Sequence, residues 1–262
     1  TLEVNLYALG THSEDIGGLE PAWSANARLY DRNIELAASA IEIGDDFNPA
    51  MGFVQRQGTR VYKIAADYVP YHDDIDWLRN TRHGYEAELY TDLGNDVVNT
   101  KQQLNLVSLY LESQDVIKFD ISHLTDRPNE DFAISDGSIV PAGNYEWWEA
   151  RAYGYFGMHR SLFLRPMYRV GGFYDGTRQQ ISLETFYRPW RKLLVGGEYS
   201  VNLIDWDALD ESTIRQISGT LRYSFTPDLV WFNLAQYDNI SNSIGVNSRL
   251  QWEYKPGATM FF

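Results

Sequence analysis

The chain has 262 residues, of which 36 are acidic and 22 basic, for a formal charge of −14. That balance excludes nucleic acid as a partner, because phosphate backbones need a positive surface. Cysteine is absent, so disulfide frameworks, thiolate metal sites and a Cys nucleophile are excluded as well.

Aromatic residues make up 15% of the chain, with 18 Tyr and 8 Trp. Amphipathic rings in that number suit a wet boundary, such as a membrane girdle or a sugar-binding surface. No apolar run approaches the roughly 18 residues of a transmembrane helix. The opening TLEVNLYALG has no charged and apolar leader pattern, so a signal peptide or preceding domain is expected to have been removed. The mean hydropathy of −0.39 does not exclude a membrane protein, since a barrel strand needs apolar residues only at alternate positions.

In chain order, the period-2 template matches repeatedly and the helical template almost nowhere. LEVNLYA from Leu2 and WSANARLY from Trp23 come first, followed in the second half by WEARAYGYF from Trp148 and QQISLETFY from Gln179. LLVGGEYSVNL from Leu193, QISGTLRYSF from Gln216 and GVNSRLQWEY from Gly245 complete the clearest set. In QISGTLRYSF, Ile217, Leu221, Tyr223 and Phe225 alternate with Gln216, Ser218, Thr220, Arg222 and Ser224. A soluble sandwich would bury the apolar side, whereas a membrane barrel would turn it to lipid. About 14 strands are expected, many of ten or more residues, which is the length a tilted strand needs to cross a bilayer and longer than most globular strands.

The connections are expected to alternate in length from the middle of the chain onward. Long stretches at 124–143 and at DWDALDEST from Asp205 intervene between tight ones at 158–161, 188–192, 226–228 and 255–257. Outer-membrane barrels show this asymmetry. Acidic residues gather in the long stretches and basic ones, such as Arg160, Arg191 and Lys192, in the tight ones. The connections near 71–81 and 113–116 do not follow the alternation. No Pro/Gly/Ser-rich linker divides the chain, so one domain is expected.

The catalytic inventory is thin. Five His residues, at 12, 72, 83, 123 and 159, form no compact metal-ligand spacing, and there is no G-x-S-x-G nucleophile elbow. His72 beside Asp73 and Asp74 is the best rim candidate for acid–base work, against the plainer reading of a solvated loop. Asp45, Asp46 and Asn48, or Asp205, Asp207 and Asp210, offer hard oxygen atoms for calcium but lack the EF-hand order. Trp147 and Trp148 are adjacent on a strand, so their rings point to opposite faces. The expectation is therefore no catalytic residue, no metal site and no cofactor. If the apolar faces meet lipid, Glu149, Arg151, Glu198, Asn202, Arg222, Asn247, Arg249 and Glu253 line a polar lumen, where such charges set solute selectivity or hold the lumen shut.

IGDDFNPAMGFVQRQGTR from Ile43 and WFNLAQYDNISNSIGVNSRLQWEYKPG from Trp231 resemble the carboxy-terminal barrel region of a bacterial family of unknown function. Its members are often labelled carbohydrate-binding family 9-like proteins. Asp46, Phe47, Asn48, Pro49, Gly52 and Phe53 carry the first motif. Gln236, Tyr237, Asp238, Asn239, Asn247, Arg249 and Pro256 carry the second. The resemblance implies an outer-membrane barrel of a Gram-negative cell and brings no established activity. Two departures stand out: the 262 residues hold no sandwich region, and the ATMFF ending is shorter than a membrane strand, so the expectation is either that Thr1–Leu9 pairs with this stub to close the barrel or that the chain is a fragment of a longer one.

Together these readings predict an all-β, antiparallel, up-and-down transmembrane β-barrel of about 14 to 16 strands in the outer membrane. The expected partners are the lipid bilayer with its lipopolysaccharide, a small solute or oligosaccharide in the lumen, and a protein at the loops or periplasmic side. A plugged barrel that anchors a partner and an outer-membrane hydrolase with a rim site are the alternatives, and a soluble sugar-binding sandwich is a third.

Overall fold

The computed structural model describes residues 1–12, 18–48, 54, 56–135, 138–206 and 212–262. Among these there is no helix. The strands are β1 (Leu2–His12), β2 (Leu19–Tyr30), β3 (Ile34–Ile43), β4 (Thr59–Tyr68), β5 (Leu78–Asp92), β6 (Val97–Leu111) and β7 (Val116–Asp126). A short hairpin, β8 (Phe132–Ser135) with β9 (Ser138–Val140), precedes β10 (Tyr145–Tyr155), β11 (Leu162–Phe173), β12 (Gly176–Trp190) and β13 (Leu193–Trp206). β14 (Ser212–Ser224), β15 (Leu229–Asp238), β16 (Ser243–Lys255) and β17 (Ala258–Phe261) complete the set.

Fifteen of these strands form one sheet in the order β1 to β7, then β10 to β17, and β8 pairs with β9 in a separate ribbon. The fold is thus all-β, antiparallel and up-and-down, the connectivity of a barrel sheet. β1 and β17 stand at the two ends of the order. The strands are long, with β5, β6 and β12 reaching 15 residues.

Two compact units divide the chain. The first comprises Thr1–Leu109, Asp120–Phe132 and Pro141–Glu149, and the second Tyr110–Phe119, Ala133–Val140 and Ala150–Phe262. In the first unit β1 to β5 pair in sequence, with Ile34 to Ile43 opposite Tyr68 to Thr59 without a break. In the second, β11 to β17 do the same, with irregularities between Tyr187 and Trp190 and between Glu253 and Lys255.

The turns explain how such long strands reverse. Pro256 and Gly257 join β16 to β17, with Gly257 at φ +79; Pro fixes the first corner and Gly takes the left-handed second one. Gly157, at φ +75, has no room for a side chain, since a Cβ would come 2.1 Å from the Leu162 carbonyl.

The expected alternation of connection length is not what these turns show. β11 and β12 are joined by Tyr174 and Asp175 alone, with Phe173 opposite Gly176, a turn as short as Arg191–Lys192 between β12 and β13. The DWDALDEST stretch is mostly strand at its ends, because Asp205 and Trp206 belong to β13, and Ser212 and Thr213 to β14. Strand pairing extends further than turn-type residues suggest, because Gly, Asp and Thr at strand ends still complete backbone ladders.

The distribution of burial is inverted relative to a soluble sheet. In β12 the side chains of Arg178, Gln180, Ser182 and Glu184 are half-buried, while Ile181 and Leu183 between them are exposed. β4 repeats this, with Lys63 and Asp67 half-buried and Tyr62, Ile64 and Tyr68 exposed. Ile64 is 56% exposed, Ile181 50% and Ile217 52%. On β4 and β12, then, the apolar side is the open one and the polar side half-buried, whereas on β13, β14 and β16 polar residues such as Glu198, Arg222 and Arg249 are exposed as well.

Candidate functional site

In each unit the polar face gathers charged and polar side chains from several strands. Because side chains alternate along a strand, each strand contributes every second residue, and register lines these up into rows.

In the first unit the rows are ion-paired. Glu35 of β3 stands opposite Asp67 of β4, and Asp67 opposite Gly84 of β5. A Cβ at Gly84 would meet Asp67 Oδ1 at 2.0 Å, so the glycine leaves the carboxylate its space. Into the same space reaches Arg82, with Nη2 at 2.9 Å from Glu35 Oε2 and Nη1 at 3.3 Å from Asp67 Oδ2. Two rows on, past Ala65 and Glu86, Lys63 stands opposite Glu88 and bridges it at 2.9 Å.

In the second unit several rows cross the polar face, among them three that carry arginine. Near the β12–β13 turn, Leu194, Arg222, Phe232 and Arg249 are successive partners. Phe232 lies between the two guanidiniums, at 5.4 Å from Arg222 and 5.7 Å from Arg249, and Arg249 is also 5.3 Å from the Phe261 ring. Such contacts favour a cation on the ring face. Four residues along each strand, roughly 13 Å at strand rise, comes the row Arg165, Glu184, Glu198, Ser218 and Gln236. Arg165 bridges Glu184 at 2.7 Å, and Glu198 faces a cleft of about 300 Å³ with Ser200, Gln216, Gln236 and Asp238. The third row joins Arg169, Gln180 and Asn202.

The expected lumen residues of this unit fall on the polar face. Glu198, Asn202, Arg222, Asn247, Arg249 and Glu253 share it by register. Glu253 is occupied locally, its Oε1 accepting the Gly257 N–H at 2.9 Å. On β10, Glu149 and Arg151 share the side of Trp147, which is 9% exposed, while Trp148 on the other side is 61% exposed. The two tryptophans point apart, as alternation requires. Arg151 stacks on Tyr153 at 4.4 Å.

The motif residues build turns. Asp238 accepts from the N–H groups of Ile240 and Ser241 and from the Ser241 hydroxyl. The Tyr237 hydroxyl donates to Asn242 Oδ1, and Asn239 accepts from the Arg215 N–H while donating to the Thr213 carbonyl. Gln236, Tyr237 and Asp238 of this group also line the cleft of about 300 Å³ that Glu198 faces. In the first motif Phe47 is 4% exposed, Asp46 is exposed, and Asn48 donates its N–H to Thr11. Pro49, Gly52 and Phe53 lie outside the described residues.

No acid–base pair forms at the expected rim position: His72 Nε2 lies 3.1 Å from the Thr81 hydroxyl. A His–carboxylate pair does form elsewhere, between His123 Nε2 and Glu146 Oε1 at 2.8 Å, with Trp148 at 4.7 Å from the imidazole. No nucleophilic hydroxyl bonds to His123 among the described residues, so the pair is not a triad. Among them there is also no group of three or more His, Asp or Glu placed to hold a metal. The Asp205, Asp207 and Asp210 set lies partly outside, at 207 and 210.

Two features escaped the sequence reading. The charges of β3 to β5 went unnoticed because Ala37, Ala38, Ala65 and Ala66 dilute the alternation there. Asp115, in the β6–β7 turn, reads as one more acidic loop residue, yet it accepts the Gly157 N–H at 2.8 Å, the Ser113 hydroxyl at 2.8 Å and Arg160 Nη2 at 3.0 Å. Burial opposes its charge, but the Gly157 amide, Ser113 and Arg160 together outweigh it and hold the carboxyl below the ordinary aspartate range.

No family model matches the chain, and no curated protein matches it.

Proposed function

We propose that the chain is a Gram-negative outer-membrane β-barrel whose polar face surrounds a lumen that binds or passively passes a small solute, with an oligosaccharide as one candidate class. The observation that carries this is the inverted burial. Ile64, Ile181 and Ile217 face outward while Lys63, Asp67, Glu184 and Ser218 are shielded on the other side. A soluble protein rarely exposes so continuous an apolar surface, whereas a barrel in lipid requires one. Fifteen strands in a single antiparallel up-and-down sheet supply the connectivity, and a closed barrel is the one sheet that leaves no unpaired backbone in lipid. The likeness of the two quoted motifs to the barrel region of carbohydrate-binding family 9-like proteins points the same way. The apolar face then meets the bilayer and its lipopolysaccharide, and the turns offer a periplasmic surface to a protein partner.

A second reading is a plugged barrel that anchors a partner. The β8–β9 hairpin favours it, since Val140 is only 2% exposed although it belongs to the longest connection between neighbouring sheet strands. A solvated loop does not bury a valine so completely.

Single-channel recording in planar bilayers, with a panel of oligosaccharides as blockers, separates the two. Conductance steps interrupted by a sugar support the solute lumen. Silence from protein shown to be folded by its heat-modifiable gel mobility supports the plug.

A further inference from the structure

The turn between β12 and β13 stands beside a cleft of about 210 Å³ lined by Arg188, Arg191, Lys192, Leu193, Leu194, Arg222 and Ser224. Four of these seven are cations, in a chain whose formal charge is −14. None of the four makes an ion pair among the described residues, whereas Arg60, Arg82, Arg160 and Arg165 each hold a carboxylate. All four are exposed and solvated, yet like charges gathered on one cleft add their potentials, and an anion that meets several of them at once gains from each.

Two local features hold it in place. Lys192 Nζ donates to the Phe225 carbonyl at 3.1 Å, which fixes the ammonium against the neighbouring β14–β15 turn. Arg222 lies over the Phe232 ring at 5.4 Å, which fixes the stem of the guanidinium and leaves its edge for a ligand. Arg249, on the other side of the same ring, extends the positive row. Asp228, in the same β14–β15 turn, makes no ion pair with these cations among the described residues, and Glu253 is turned to the Gly257 amide.

We propose that this cleft is a binding site for a phosphate group. The choice of phosphate follows from charge and shape. A single carboxylate would leave most of the four cations unneutralised, while a phosphomonoester or pyrophosphate carries two or more charges. Arginine also forks onto phosphate oxygens in pairs. The site deepens the solute reading above by naming the charged group such a solute would carry. The same chemistry is found on the headgroup of a phospholipid, and the position of Leu194 and Arg222 on the polar face of the sheet sets the free solute first.

The test uses the whole chain folded in zwitterionic detergent at low ionic strength, titrated calorimetrically with inorganic pyrophosphate. Saturable binding is expected, weakened at least tenfold by the double substitution Arg191→Glu and Lys192→Glu, and unchanged by Arg127→Gln. Arg222→Gln, which leaves both turns intact, is expected to weaken it several-fold and covers the case in which the double variant fails to fold. In a second arm, phosphatidylglycerol retained through purification is measured by organic phosphorus. Pyrophosphate binding identifies a soluble ligand. Retained lipid that disappears in Arg222→Gln, with no pyrophosphate binding, identifies a headgroup. Neither binding nor retained lipid in folded wild-type protein, or values indifferent to Arg222, would overturn the site. Bound pyrophosphate without conductance would leave the site standing and remove passage from the solute reading.

Discussion

Replacing Asp115 by alanine is expected to loosen two adjoining turns at once. The carboxylate takes a hydrogen bond from the Gly157 amide in the β10–β11 turn and another from Ser113 in its own turn, each at 2.8 Å. Bonds to a charged group contribute about 1.5–3 kcal/mol each and are not additive. The Arg160 pair adds about 0–1 kcal/mol at most, because the Arg160 side chain is 49% exposed. Truncation also leaves the Gly157 N–H without its acceptor, so Asp115→Ala is expected to cost about 2–4 kcal/mol. Asp115→Asn keeps an oxygen for that amide and is expected to cost about half as much. The carboxyl is held below its ordinary range in the folded state, so its contribution is fully present above the unfolded value near 3.9. It is lost as pH falls through the lower folded value. Urea unfolding of vesicle-inserted protein, followed by tryptophan fluorescence, should show wild type and Asp115→Asn separated at pH 7 and converging in strong acid. A difference under 0.5 kcal/mol for Asp115→Ala at pH 7, or a gap for Asp115→Asn that is unaltered by acid, would refute the reasoning.

Ile64→Lys and Ile181→Lys place a charge on the open apolar face. If that face meets lipid, each should reduce insertion into vesicles by about 2–4 kcal/mol near mid-bilayer, read as a lower folded fraction by heat-modifiable mobility; water there would make both nearly silent. Arg82→Gln leaves Glu35 and Asp67 without their shared cation, and a loss of about 1–3 kcal/mol is expected on denaturant titration, between the exposed and buried limits for ion pairs. Asp238→Ala removes the acceptor for the Ile240 and Ser241 amides. Faster hydrogen exchange confined to those amides should follow, with strand amides of β15 unchanged.

How far the sequence announces this fold depends on which interaction dominates locally. In β12, β14 and β16 large apolar residues alternate with plainly polar ones over most of the strand, so period 2 reveals both strand and face, and Arg222 and Arg249 come out on the polar side with Glu198 of β13. In β3 and β4 the runs LAASA and IAAD hide the same alternation, because alanine fits either face. Glu35, Lys63 and Asp67 consequently passed unnoticed, although Tyr62, Ile64 and Tyr68 on the opposite side carry the period. Loop lengths misled for a different reason. Tyr174–Asp175 closes a turn with Tyr174 at φ +52, a conformation that nothing in its residue type announces. The Asp238–Asn239 motif likewise looks like a binding signature but closes a turn, since Asx side chains cap their own backbone.

The two units differ in how they treat charge on the polar face. In the first, Arg82 bridges Glu35 and Asp67, and Lys63 bridges Glu88; these two cations are answered within about 3 Å, which leaves little field from them for a solute. In the second, Arg165 answers Glu184, but Arg222 and Arg249 are exposed and have aromatic rings for neighbours, and a cation that is not ion-paired projects its potential. If a solute lumen is formed, selectivity should therefore answer to the second set and stability to the first. Arg222→Gln with Arg249→Gln is expected to shift the anion-to-cation permeability ratio severalfold toward cations at low salt, an effect that shrinks as salt screens the charges, while denaturant midpoints stay close to wild type. Arg82→Gln is expected to do the reverse. Equal shifts in permeability from both variants would mean that pairing does not silence the Glu35–Arg82–Asp67 cluster, and the division between a structural and a recognition half would fall.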